Sequence, residues 1–389
     1  MKDIVILTRT LPFHSVGGMQ AVAWDLARQF AASGFRTTII TTRISGKPEK
    51  FQEDGVEVVA LAQAPPERYT RAWWRFSRDY FMANFAGRAA GVISISAGAY
   101  GLRDCKLHLP PGGFILQAHG TSLGEFISKW KSRRLRSWVT SVRNLLWMFI
   151  DRRAYADFDC IVGVGPKVKE DFERAFYRRS VKENRLAVIE NGIDTGLFKP
   201  SINHRHEVRE RLGIPENAKV IVSACRLHVQ KGVDLSLRGF ARLSQTNPET
   251  YFIIIGDGPE MPALKKLAAE LKITSKVRFA GSLSREAVAA YLAAGNVFLF
   301  TTLRVEGFPL NVLEALAVGL PCVVSDHLDS VLEVSPFVTP VNPRSPEAIA
   351  ECLRAALNHS SVESLLPAKY SLQECANAYI RLMGLASDV

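Results

Sequence analysis

The sequence predicts an α/β protein built from two doubly wound, Rossmann-like domains. Three observations carry this reading. The chain has 389 residues, too many for one ordinary core and enough for two domains of about 150–200 residues each. Short apolar runs alternate with segments of helical periodicity, which argues for parallel sheets covered by helices on both faces. The alternation then restarts after "VIENGIDTGLFKP". The expected division is therefore a first domain over residues 1–196, a second over 197–367, and a C-terminal segment over 368–389.

The elements follow in order. "DIVILT" is a strand, "RTLPFHSVGGMQ" a loop, and "AVAWDLARQFAASG" a helix that Gly34 stops. "RTTIITT", "VEVVAL", "GVISIS", "FILQAHG" and "CIVGVG" are further strands, several of them separated by helical patterns. In the second half "AKVIVSACR", "YFIIIGDG", "KVRFAG", "NVFLFTT" and "PCVVSD" are strands. "GVDLSLRGFARLSQ", "MPALKKLAAELKI" and "REAVAAYLAAG" are helices between them. "SLQECANAYIRLMG" reads as an amphipathic helix.

Composition is globular, with 47% hydrophobic and 22% charged residues, and nothing resembles a disordered tract. Six cysteines without paired spacing suggest reduced thiols in a cytoplasmic protein. The N-terminal apolar run is too short for a secretory signal, and no stretch is long enough to span a bilayer. The net charge of +11 is uneven. Residues 1–196 hold 29 Lys+Arg against 19 Asp+Glu, and residues 197–389 hold 20 against 19. All six tryptophans also fall in the first half.

The stretch "VEGFPLNVLEALAVGLP" carries two carboxylates, Glu306 and Glu314, in almost wholly apolar surroundings. Carboxylates accept paired hydrogen bonds from vicinal hydroxyls, which sugars and ribose both offer. On spacing alone, two solvated glutamates are the commoner reading, since two glutamates eight residues apart occur often. Glu306 lies just after a strand, where open α/β sheets bind ligands. Arg226 and Lys231, in "CRLHVQKGVD", join a strand to a helix start, a natural diphosphate site; a pair of surface cations is the alternative. Gly256, in "GDGPE", permits a tight turn after a buried strand. Gly17 and Gly18 sit between the first strand and helix, where exposed amides can meet an anion, although a simple loop would look the same. His119, in "LQAHGTS", ends a strand run; a lone histidine is more often structural. "DFD", from Asp157 to Asp159, opens a strand and reads as structural rather than as a metal motif. No His, Cys and Asp cluster has metal-ligand spacing.

Taken together, these motifs resemble the retaining glycosyltransferases of family 4, which have the two-domain GT-B fold. "EGFPLNVLEALAVGLPCVVS" is similar to the family's E-x7-E motif, and the likeness covers nearly the whole chain. The resemblance implies two facing Rossmann-like domains around a central cleft, a C-terminal helix within 368–389 that crosses back to the first domain, and sugar transfer from a nucleoside-diphosphate sugar (UDP or GDP) without metal or other cofactor. It implies that Arg226 and Lys231 hold the donor diphosphate, Glu314 its ribose and Glu306 its sugar. Gly18, Gly256 and the backbone of Gly307, Phe308, Pro309 and Leu310 would line the donor site. His119 would point at the donor sugar and act with Glu306 in catalysis. Two positions depart from the pattern: Cys225 stands for a Gly and Gly165 for a Ser.

The basic stretch from Lys129 to Arg153 has eight Lys+Arg and one acid, Asp151. Leu135, Trp138, Val142, Leu145 and Phe149 recur at helical steps, with Arg133, Arg134, Arg136 and Arg143 largely off that face. Such a helix can lie on an anionic membrane, or pack its apolar face on the sheet. "RYTRAWWRFSR" repeats the chemistry. The expectation is a lipid-linked acceptor, as in bacterial surface polysaccharide or lipopolysaccharide synthesis, met at the inner face of the cytoplasmic membrane. A soluble phosphorylated acceptor, or a non-catalytic nucleotide-sugar binder, are the alternatives. No nucleic-acid motif is visible.

Overall fold

The computed structural model describes residues 2–15, 17–124, 126, 135–178, 180–304, 306–359 and 363–385. The chain divides into two compact units, Met1–Gly192 with Leu372–Val389, and Ile193–Ser371.

In the first unit the strands are β1 (Asp3–Leu7), β2 (Arg36–Thr42), β3 (Lys50–Glu53), β4 (Val56–Leu61), β5 (Ala89–Ile95), β6 (Phe114–Ala118), β7 (Cys160–Gly163) and β8 (Leu186–Val188). Their order is β3-β4-β2-β1-β5-β6-β7-β8. Only the β3–β4 pair is antiparallel among these. β1 and β6 are buried at every position. Side chains alternate between the sheet's two faces, as the pleat requires. Val5, Leu7, Phe114 and Leu116 enter one apolar cluster. Ile4, Ile6 and Ile115 enter the other, with Phe30 of the helix Gly18–Ala32 and with Ala376, Tyr379 and Ile380 of the C-terminal helix Leu372–Leu382. That helix is therefore part of the first unit's core, and each large apolar side chain it buries contributes about 1.5–3 kcal/mol.

The second unit has β9 (Lys219–Ala224), β10 (Thr250–Ile255), β11 (Val277–Gly281), β12 (Val297–Phe300), β13 (Cys322–Ser325) and β14 (Val338–Val341). The order is β11-β10-β9-β12-β13-β14, with every described pair parallel. The chain winds outward one way from β9 through β10 to β11, and the other way from β12 to β14. The reversal lies between β9 and β12, and ligands of such sheets bind at the carboxyl ends beside it.

Candidate functional site: a polar cluster where β9 and β12 end

Beyond Ala224, β9 leads through Cys225 and Arg226 into a short turn, Val229–Lys231, and the helix Val233–Thr246. Beyond Phe300, β12 leads to Glu306 and the helix Leu310–Ala317. The two crossings are laced together. Leu303 donates its amide to Gln230 O at 2.8 Å, and Thr302 Oγ1 donates to the same carbonyl at 3.1 Å. Thr301 Oγ1 donates to Gly232 O at 2.7 Å. Gly232 has φ +63°, and a Cβ there would stand 2.1 Å from Thr301 O, so only glycine allows this approach.

This lacing brings Lys231 and Glu306 together, with Lys231 Nζ 2.7 Å from Glu306 Oε1. Thr302 Oγ1 approaches the same oxygen at 3.3 Å. Lys231 also lies over the Phe300 ring, 5.3 Å from its centroid. Both side chains are largely withdrawn from water, at 23% and 15% exposure. Lys231 has further donors to offer an anion. Arg226 is exposed and has no side-chain partner among the described residues. Glu314 sits on the helix Leu310–Ala317, 3.9 Å from Arg285, whose guanidinium lies over Phe198. No side chain caps the start of that helix, whose N-cap residue is Pro309, and Asn311 in its first turn donates instead to Ala224 O at 2.9 Å. Pro309 has no N–H, so the amides available to a ligand here are those of Gly307, Phe308 and Leu310. The Phe308 ring itself is buried beside Tyr370 and belongs to the core. Gly256 has φ +124°, and a Cβ would lie 2.0 Å from Cys225 O. The Cys225 thiol is pushed up to about 12, chiefly by burial, and stays neutral beside the ion pair.

In the first unit Gly18 opens the helix Gly18–Ala32, which likewise has no side-chain cap. His119 follows β6 and is partly exposed. Its Nε2 faces Gln117 Oε1 at 3.1 Å. Desolvation pushes its pKa down to about 4, so the ring is neutral at physiological pH. Gly165 begins the helix Pro166–Glu173 with no side-chain cap, where the family pattern has a serine. Asp157 pairs with Arg103, and Asp159 with Lys106 at 2.6 Å, both structural uses. Among the described residues no group of three or more His, Cys, Asp or Glu could hold a metal.

The basic helix spans Leu135–Tyr155. Arg133 and Arg134 lie outside the described residues, as do the side chains of Arg136 and Trp138. In its described C-terminal half the amphipathicity is inverted. Asn144, Met148 and Asp151 are buried, while Leu145, Leu146, Phe149 and Ile150 are exposed at 38%, 66%, 59% and 42%. Asp151 is held inward by Tyr100, whose OH donates at 2.9 Å, and by Ser122 at 2.6 Å. Burial raises its pKa. Packing of the apolar face on the sheet is therefore not what occurs at Leu145 and Phe149. The second segment is corrected in the opposite sense. Trp73 is wholly buried and donates to Gly98 O at 2.9 Å, and Trp74 donates to Ala97 O at 3.1 Å. These rings are anchored in the fold, not offered to a membrane. Among the described residues no helix is long and apolar enough to cross one.

The sequence reading missed Thr302, Arg285, Gln117 and Asn311. Gln117 had a signal, a polar residue inside the apolar run "FILQAHG". The others sit in polar loops or a helix where nothing distinguishes them.

Two family models match the chain: "Glycosyltransferase Family 4" over residues 16–197 and "Glycosyl transferases group 1" over residues 204–368. A D-inositol 3-phosphate glycosyltransferase of Nocardioides sp. is 30% identical over 379 residues, covering 90% of this chain and 80% of that protein. A GDP-mannose-dependent alpha-(1-6)-phosphatidylinositol monomannoside mannosyltransferase of Mycolicibacterium smegmatis is 31% identical over 178 residues. There the chain spans 44% of its own length and less than half, 45%, of the relative's. The structure of Anabaena Alr3699/HepE in complex with UDP-glucose aligns over 99% of this chain and 100% of that one, with a TM-score of 0.70 and 17% identity.

Proposed function

The chain belongs to the family 4, group 1 glycosyltransferases of GT-B fold, and on that premise we propose that it transfers a sugar from a nucleoside-diphosphate sugar to an acceptor hydroxyl, with retention and without metal. The observation that carries the reading is the Lys231–Glu306 pair at the β9/β12 reversal, beside an exposed Arg226 and an uncapped helix start. On this reading Arg226 and Lys231 offset the charge of the diphosphate, aided by the amides of Gly307, Phe308 and Leu310. Gly256 and Gly18 allow close approach of backbone to ligand. Glu314, steadied by Arg285, accepts from the ribose, and Glu306 accepts from sugar hydroxyls. The bond from the anomeric carbon to the diphosphate breaks. A bond to the acceptor oxygen forms on the same face, and the acceptor's proton leaves with the diphosphate. No side chain supplies a covalent nucleophile; positioning and leaving-group stabilisation provide the rate. His119 is neutral and serves as a hydrogen-bond partner to a substrate hydroxyl.

The acceptor is proposed to be lipid-linked, met at an anionic membrane on the cytoplasmic side, in surface polysaccharide or lipopolysaccharide assembly. The exposed row Leu145, Leu146, Phe149 and Ile150 supports this, with Arg152 and Arg153 in the next turn. So does the relative whose name gives a phosphatidylinositol mannoside as acceptor. The relative named for D-inositol 3-phosphate favours the second reading, a soluble phosphorylated acceptor.

The test is turnover of UDP- and GDP-sugars with EDTA present. Wild-type protein should hydrolyse one donor slowly, and Glu306→Gln and Lys231→Ala should abolish this while leaving the melting temperature within a few degrees. Binding without any turnover would leave a nucleotide-sugar-binding protein in place of an enzyme. A strict requirement for divalent metal would overturn the metal-free part.

A further inference from the structure

Gln117 is wholly buried in β6, a strand whose other members are apolar. Its amide spends both ends on side chains. Nε2 donates to the Tyr379 hydroxyl at 2.8 Å, and Oε1 faces His119 Nε2 at 3.1 Å. Tyr379 is itself wholly buried, on the C-terminal helix, 262 residues further along the chain. The amide's NH2 end is committed to the phenol, so its carbonyl end is what His119 meets. A carbonyl only accepts, so this orientation of the amide puts the hydrogen on Nε2 and the lone pair on Nδ1.

We propose that Gln117 and Tyr379 are positioning residues that lock His119 in the Nε2–H tautomer, so that Nδ1 presents a hydrogen-bond acceptor to a substrate hydroxyl. The C-terminal helix is then part of the site's machinery as well as of the core. This rests on the reading that His119 meets substrate. The neutrality of the ring, held down to about pH 4, fits an acceptor and not a cation. Stability alone gives no reason for the arrangement. The Gln117–Tyr379 bond can be removed from both sides together, by apolar side chains of like shape, at little cost to the fold. A Leu facing a Phe would fill the same space, but would leave the ring free to exchange tautomers.

The experiment uses full-length protein with 15N-labelled histidine. Ring nitrogen spectra would be recorded for wild type, Tyr379→Phe and the double variant Gln117→Leu/Tyr379→Phe, with His119→Gln identifying the signal. Turnover is read as slow hydrolysis of UDP-glucose or GDP-mannose, whichever the wild type accepts. His119 should show protonated Nε2 alone in wild type and a mixture of tautomers in the double variant. There kcat should fall about ten-fold or more with donor KM nearly unchanged, and the melting temperature should hold. Tyr379→Phe, which removes one oxygen, should move the same quantities in the same direction by less, and it carries the test if the double variant does not fold. An unchanged tautomer or unchanged kcat in these variants overturns the positioning role. Full turnover in His119→Gln instead overturns the underlying reading of His119, whatever the spectra show.

Discussion

Lys231 and Glu306 are the two charged groups that the fold brings into direct contact where β9 and β12 end. Arg226, close by in sequence, is exposed and has no side-chain partner among the described residues. Truncating it should therefore leave the fold intact and act on the ligand alone. Arg226→Ala is expected to weaken donor binding by about 1.5–3 kcal/mol, the size of a hydrogen bond to a charged group, with the melting temperature unchanged by calorimetry. His119 gives a pH signature. Its folded pKa of about 4 lies below the ordinary 6.5, so between these values the unfolded chain binds more protons. Its contribution is whole above pH 6.5 and is lost as pH falls towards 4. Partial exposure limits this to roughly 1–2 kcal/mol. Urea midpoints should drop less between pH 7 and 4.5 in His119→Gln than in wild type, and parallel curves would refute the shift. Glu306, Lys231 and His119 were singled out in the sequence by motifs resembling the family's, each beyond the end of an apolar strand run, whereas the residues alone left a structural reading open. Thr302 and Arg285 were not, since their roles come from pairing across separate crossings.

At the scale of elements, both strand crossings depend on one close backbone approach. Gly232→Ala would place a methyl group against Thr301 O at a positive φ. It should cost about 2–4 kcal/mol by denaturant unfolding, and it should lower donor affinity because Lys231 is its neighbour. Wild-type stability in this variant would show that the loop simply yields. The helix Leu135–Tyr155 makes the second prediction. Leu146→Glu with Phe149→Glu should abolish flotation with anionic liposomes at low salt while leaving the melting temperature unchanged, because both positions are exposed. Unchanged flotation would move membrane contact elsewhere. This helix shows what periodicity leaves open. Its apolar stripe allowed either a membrane-facing or an inward face, and at Leu145 and Phe149 it is exposed, while Asp151 turns inward because Tyr100 and Ser122 receive it. The central strands were read directly from their apolar runs. β3, β8 and β14 were not: β3 and β8 are half-exposed, and β14 carries Pro340, which is tolerated at a sheet edge.

For the whole molecule, the restart of the strand and helix pattern disclosed two Rossmann-like units, and the charge count distinguished them. The first carries nearly all of the net +11, which suits an anionic acceptor or surface, while the near-neutral second holds the proposed donor site. That the final helix packs into the first unit's core was expected from the family resemblance and not from composition, since its partners lie hundreds of residues earlier. The central claim is that the second unit binds a nucleoside diphosphate through Arg226, Lys231 and Glu314. The most direct measurement is a thermal-shift series with UDP, GDP, ADP and their common sugar conjugates, on wild type, Arg226→Ala and Glu314→Ala. A ligand at about a hundred times its Kd adds about 2.7 kcal/mol to the native state. One nucleotide series should therefore raise the wild-type melting temperature by about 5–10 °C, with the rise lost or much reduced in both variants. No rise with any nucleotide, or a rise that both variants keep in full, would contradict the account.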